Sequence, residues 1–161
     1  MQAVDLREDG KVFRQYLEER VKQFVESAKK TANVAPISAV EVGFCYVQAG
    51  WILVHFDQRL QHERDGEWTN FNEADLCLRD EWSKLADANI DAPVSITLHN
   101  GKKLDLPVQS SDELFASAIG RMLVEVLKTA KKEGLFDPLP KQTKWQIDVE
   151  DFNGNWAWPE E

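Results

Sequence analysis

Residues 37–57 read ISAVEVGFCYVQAGWILVHFD, and this stretch decides the fold class. From Ile37 the pattern has a period of two, with Val40, Val42, Phe44 and Tyr46 pointing one way and Glu41, Gly43, Cys45 and Val47 the other. Gln48, Ala49 and Gly50 make a short reversal, and Trp51 to Asp57 follow as a second run of bulky residues, which predicts a β-hairpin. In that second run Ile52, Val54 and Phe56 alternate with Trp51 and Leu53. Both faces are therefore apolar, as expected of a central strand covered on both sides.

The flanking segments read as helices and shorter hairpins. From about Asp9 to Asn33, Phe13, Leu17, Val21, Phe24 and Ala28 recur at steps of three and four, building one apolar stripe before Pro36 forbids continuation. On the other side, Asp65-Gly66 signals a turn and Glu67 to Phe71 a short strand. Asn72 can cap a helix whose apolar face is Leu78, Trp82, Leu85 and Ala86, ending near Asn89. Ser95 to Leu98 and Lys103 to Leu106 flank Asn100-Gly101, a strong hairpin signal. Ser110 and Glu113 have capping-box spacing before a long stripe through Leu114, Phe115, Ala118, Ile119, Met122, Leu123, Val126 and Leu127. Lys128, Lys131 and Lys132 suit the end of that helix, and Gly134 its stop.

This order predicts an α+β fold: a mainly antiparallel sheet of two hairpins plus short strands, packed with about three helices. Residues 1–144 are expected to form a single globular domain. Residues 145–161 are expected to be an acidic, Trp-rich C-terminal tail docked on it, with Trp145 to Val149 able to pair as an edge strand. The 161 residues, 43% of them hydrophobic and including six Trp and eight Phe, suffice for one core but hardly for two.

Charge narrows the function classes. With 19 basic against 28 acidic residues, the formal net charge is −9, which argues against a general nucleic-acid binder. The excess is local: residues 57–91 carry ten acids and four bases, and residues 145–161 carry five acids and no base. Brought together, such segments would attract a basic partner and speed its association. The first ten residues hold Asp5, Arg7, Glu8 and Asp9 with no apolar run, so no secretory signal is read, and the longest apolar runs are too short to span a bilayer. Cys45 and Cys77 read as free thiols, and the expected location is cytoplasmic.

Few residues suggest chemistry. His55, Asp57 and His62, with Glu63 beside them, are the nearest approach to a metal constellation, since imidazole and carboxylate suit zinc or another divalent ion. Neither a His-x-x-x-His nor a Cys-x-x-Cys pair accompanies them. Cys45 could work with His55 across the first hairpin, although a Cys amid Phe44, Tyr46 and Val47 lacks the surroundings of a reactive thiol. His99, beside the Asn-Gly turn, reads as exposed. No Gly-x-Ser-x-Gly elbow, phosphate-binding loop or dinucleotide fingerprint occurs, and no cofactor is implied.

The expectation is a non-catalytic, acidic cytoplasmic protein that binds another protein. Its concrete form would be an immunity or inhibitor protein covering a basic effector such as a nuclease toxin. Glu63, Asp65, Glu67, Trp68, Trp156 and Trp158 are the expected contact residues, because acidic groups imitate phosphates and Trp is a preferred anchor. Neither nucleic acid nor membrane is an expected partner. The alternatives are a small metal-assisted hydrolase using His55, Asp57, His62 and Glu63, or a small-ligand regulatory domain with a pocket between the sheet and the helix of residues 111–133.

Overall fold

The computed structural model describes residues 2–45, 51–58, 76–77, 93–106, 111–154 and 156–159. In chain order the elements are β1 (Gln2–Asp5), α1 (Arg7–Lys29), β2 (Ile37–Cys45), β3 (Trp51–Asp57), β4 (Leu76–Cys77), β5 (Val94–Thr97), β6 (Lys103–Leu106), α2 (Ser111–Lys132), β7 (Lys141–Asp151) and β8 (Ala157–Trp158). They make two sheets, one of five strands in the order β4-β3-β2-β7-β8 and one of three in the order β1-β5-β6. The fold class is α+β.

The expected hairpins form. β2 and β3 pair antiparallel from Ala39↔Asp57 to Cys45↔Trp51, and β5 and β6 pair from Val94↔Leu106 to Thr97↔Lys103 around Asn100-Gly101. Gly101 takes φ 81°, the left-handed conformation that glycine tolerates at such a turn. The sheets are nevertheless mixed rather than mainly antiparallel. β2 runs parallel to β7 from Ala39↔Gln146 to Phe44↔Asp151, and β1 runs parallel to β5. Parallel partners are joined by long crossovers and leave no turn signal in the sequence, which is why the hairpin reading missed them.

Two helices lie among the described residues. The third, expected over residues 72–89, falls outside them apart from Leu76 and Cys77, and these two are strand. They pair with Ile52 and Trp51 of β3, giving that edge a backbone partner where a helical turn was expected. The expected strand at residues 67–71 also lies outside the described residues.

In α1, Phe13, Leu17 and Val21 are fully buried and Phe24 stacks on Phe56 of β3 at 5.0 Å. Ahead of it β1 adds Val4 to the core, and Leu6 follows, its N–H donating to Thr97 O at 2.8 Å. Only four residues long and charged at its end, β1 shows no periodicity to read. α2 is buried on nearly every side, with Leu114, Ala118, Ile119, Met122, Leu123, Val126 and Leu127 in the core. It touches α1, β6, β7 and β8 and so ties the two sheets together. Gly134 ends it at φ 82°, where the Gly134 and Leu135 N–H groups return to Lys131 O and Ala130 O.

The C-terminal residues enter the sheet. The expected boundary between residues 144 and 145 falls inside β7, which lies between β2 and β8. Its register against β2 jumps from Ile37↔Lys141 to Ala39↔Gln146, so residues 142–145 bulge out opposite Ser38. Trp145 in this bulge meets the Phe136 ring at 5.9 Å, with the Lys131 and Lys141 ammonium groups over its face at 5.0 and 5.6 Å. Lys141 Nζ also donates to Phe136 O, Asp137 O and Leu139 O, which gathers the turn after α2 around one cation.

Candidate functional site

Alternation along a strand sends successive side chains to opposite faces, and the register of the five-stranded sheet sorts them sharply. On the helix side the cross-strand rows are Phe56–Val40–Ile147, Val54–Val42–Val149–Trp158 and Ile52–Phe44–Asp151. On the outer side they are Asp57–Ala39–Gln146, His55–Glu41–Asp148 and Leu53–Gly43–Glu150–Ala157, with Trp51–Cys45 beyond. The outer side therefore gathers Glu41, Asp148 and Glu150 from two adjacent strands, beside His55 and Asp57 of a third. Direct cross-strand neighbours have Cβ atoms about 5 Å apart, close enough for their charges to act on one another.

The row is graded from interior to solvent. Asp57, Glu41 and His55 are buried, Asp148 is half-buried, and Gln146 and Glu150 are exposed. Gln146 Nε2 donates to both Asp148 carboxylate oxygens at 3.0 Å, fixing that carboxylate on the surface of β7. Partial burial, and secondarily the Asp148 charge, raise the Glu150 carboxyl above its ordinary range. At the end of the row Phe152 lies over Gly43, where an added Cβ would come within 2.2 Å of the ring. Phe152 also stacks on Trp51 at 5.3 Å and is 37% exposed, a large apolar surface at the margin of the carboxylates.

The predicted site residues are distributed as follows. His55 and Asp57 share the outer face two residues apart, whereas His62 and Glu63 lie outside the described residues. Among the described residues no group of three His, Cys, Asp or Glu is arranged to hold a metal ion. Cys45 and His55 are not brought together. Cys45 stands opposite Trp51, four residues along β3 from His55, which separates them by about 13 Å. The Cys45 thiol instead accepts from Asn153 Nδ2 at 3.5 Å. Of the expected contact residues, Glu63, Asp65, Glu67 and Trp68 lie outside the described residues. Trp156 is half-buried on the helix side, its ring 6.1 Å from Phe44 and seated on Gly120 of α2, where an added Cβ would come within 2.4 Å. Trp158 is half-buried under the Lys128 ammonium at 5.7 Å. Asp151 is buried and accepts from Asn153 N at 3.0 Å, so this member of the acidic terminus is a turn-forming carboxylate.

His99 is not exposed as expected. Its Cβ side fills the space above Gly10 of α1, and both ring nitrogens are buried without a hydrogen-bond partner. Burial lowers its pKa; Arg14 lowers it further, against Glu125 and Glu133.

The alternation of the sequence sets Glu41 on the face opposite Val40, Val42 and Phe44, and nothing in it marks Asp148 and Glu150 as neighbours of Glu41. The signal was the alternation of Ile147 and Val149 with Gln146, Asp148 and Glu150, which marks a strand without naming its partner. Comparison with protein-family models, with curated proteins and with solved structures finds no match. Among the described residues no helix is long and apolar enough to cross a membrane.

Proposed function

We propose that the protein is a non-catalytic cytoplasmic binding protein that takes a basic protein partner on the outer face of its five-stranded sheet. The observation that carries this reading is the pair Asp148 and Glu150, half-buried and exposed on the outer side of β7 beside the buried Glu41 of β2, with Phe152 exposed at the end of the row. Clustered carboxylates steer a positively charged surface into place, and an aromatic ring at the margin contributes apolar contact once it arrives. A Lys or Arg reaching Glu150 would relieve the repulsion from Asp148 and release the proton that burial favours, so association is expected to weaken as pH falls.

The concrete form is an immunity or inhibitor protein covering a basic effector such as a nuclease toxin, with the carboxylates standing in for nucleic-acid phosphates. Glu63, Asp65, Glu67 and Trp68 would extend the contact, since residues 57–91 hold the larger acidic excess. The test is capture from a lysate of the native host by the wild-type chain and by Asp148→Lys/Glu150→Lys, at low and high salt. A basic protein should be retained by the wild type at low salt and lost about tenfold or more on charge reversal or at high salt. Recovery of no basic protein, or equal recovery by both chains, overturns the proposal.

A further inference from the structure

The three-stranded sheet ends at β6, whose far side is paired to no strand among the described residues. Leu98 N–H donates to Lys102 O at 2.8 Å, and the β5–β6 register continues through Thr97↔Lys103, Ile96↔Leu104, Ser95↔Asp105 and Val94↔Leu106. Antiparallel pairs alternate between bonded and non-bonded, so Leu104 and Leu106 bond inward to β5. The backbone N–H and C=O groups of Lys103 and Asp105 therefore point outward, and among the described residues they meet no backbone partner.

The side chains of this edge alternate as well. Lys103 and Asp105 are exposed on one face, where their neighbours across β5 are the uncharged Thr97 and Ser95. Their charges thus find no complement within their own sheet. Leu104 faces the other way and is half-buried, lining a cleft of about 260 Å³ with Val124 of α2 and with Trp156 and Trp158. Charged residues commonly blunt a sheet edge by repelling a second copy of it. Here the two signs alternate along the strand, which makes the edge complementary to itself. The other edges offer nothing comparable: β4 and β8 are two residues long, and the one charge of β1, Asp5, is bound to Arg7 at 2.6 Å.

We infer that β6 pairs antiparallel with β6 of a second copy of this chain, about a two-fold axis through Leu104. In that register Lys103 of each copy lies opposite Asp105 of the other, and each such pair exchanges both backbone hydrogen bonds. Leu104 meets its own counterpart in a non-bonded pair, where side chains come closest. Sliding by two residues would set Lys103 against Lys103 or Asp105 against Asp105. Sliding by one would oppose outward groups to groups already bonded to β5. Backbone geometry and charge therefore select the same register. The edge belongs to the other sheet from the Asp148–Glu150 face, so the dimer stands or falls independently of the basic partner.

The test is sedimentation of the full chain from roughly 10 μM to 1 mM, the range in which so short an interface should associate. The wild type should pass from monomer to dimer. Lys103→Asp and Asp105→Lys, each alone, set like charges opposite in both pairs and should weaken the dimer about tenfold or more. For Asp105→Lys this opposes general repulsion, since the change lowers the net negative charge of the chain. An equimolar mixture of the two variants restores an acid opposite a base in every pair and should recover the association. So should the double variant Lys103→Asp/Asp105→Lys on its own. Both positions are exposed, and recovery in the mixture shows that the single variants are folded. A wild type that stays monomeric, a single variant that dimerises as tightly as wild type, or a mixture no tighter than its components overturns the inference.

Discussion

On the helix side of the five-stranded sheet, Val40, Val42 and Phe44 of β2 meet Val54, Phe56, Ile147 and Val149 in a continuous hydrocarbon layer. One residue further along the same strand, Glu41 and Gly43 face the other way, among His55, Asp148 and Glu150. Each side also seats one aromatic ring on a glycine: Trp156 on Gly120 within the helix layer, Phe152 on Gly43 outside. The difference shows how one strand can carry both jobs. The inner residues fix the register by burial, and that register then holds carboxylates from distant parts of the chain side by side, at a desolvation cost the inner face must offset.

The largest effect should come from the inner face itself. Phe44 is fully buried against Trp156, and Phe44→Ala should cost about 3–5 kcal/mol in chemical denaturation. A loss below about 1 kcal/mol would mean that the site collapses freely and that the inner layer does not fix the register. The two ring seats come next. Gly120→Ala should destabilise by about 1–3 kcal/mol, despite a helix-propensity gain near 1 kcal/mol, because the half-buried Trp156 must move. Gly43→Ala should cost less than about 1 kcal/mol, because the more exposed Phe152 can swing away. Equal costs would break the distinction between the faces.

Two titrations sharpen it further, with opposite signs. Burial holds the folded His99 below its ordinary value, so near and below that value the unfolded chain takes up a proton that the native chain refuses. Stability from this site is fully present above about pH 6.5 and falls as pH drops toward the lowered value. Thermal unfolding of wild type and His99→Met across this range should show the dependence in the wild type alone. Glu150 runs the other way. Its folded value lies above the ordinary one, so the native chain binds the proton more tightly, and stability is lost as pH rises through the raised value. Glu150→Gln should therefore raise the Tm slightly at pH 7 and leave it unchanged below the ordinary carboxyl range. The gain is small because Glu150 is exposed enough for solvent to screen its charge. A Tm that falls at pH 7 in Glu150→Gln would show that the carboxylate is stabilised by its neighbours rather than strained.

What the sequence made legible was local. The β2–β3 and β5–β6 hairpins carry their turns between their strands, the stripes of α1 and α2 repeat within a few turns, and Gly134 stops α2 as expected. What it concealed was pairing at a distance. The alternation of Ile147 and Val149 marks a strand, yet nothing in those residues says that β2 is the neighbour or that Asp148 falls beside Glu41. Leu76 and Cys77 follow a good helix cap at Asn72 but pair with β3, since backbone groups at a sheet edge outweigh weak local propensity. Gly120 and Gly43 lie within regular elements and gave no sign that each is the floor beneath a ring. The cleft between α2 and the C-terminal residues was legible only as a general expectation of space between sheet and helix, because Lys102 comes from the turn before β6, Arg121 and Lys128 from α2, and Trp156 and Trp158 from the end of the chain.

The parallel ladder between β2 and β7 has a consequence for synthesis. Ile37 waits for Lys141, a partner roughly a hundred positions later, and loop closure of that span makes the contact slow to form. On the ribosome, β2 and β3 can fold back on each other early, but one whole edge of β2 stays bare until residues 141–151 have emerged. An open, apolar strand edge is a template for pairing with other nascent chains. The stage most exposed to aggregation is thus set by when the last long strand arrives, and a slower passage through the codons of α2 would lengthen it.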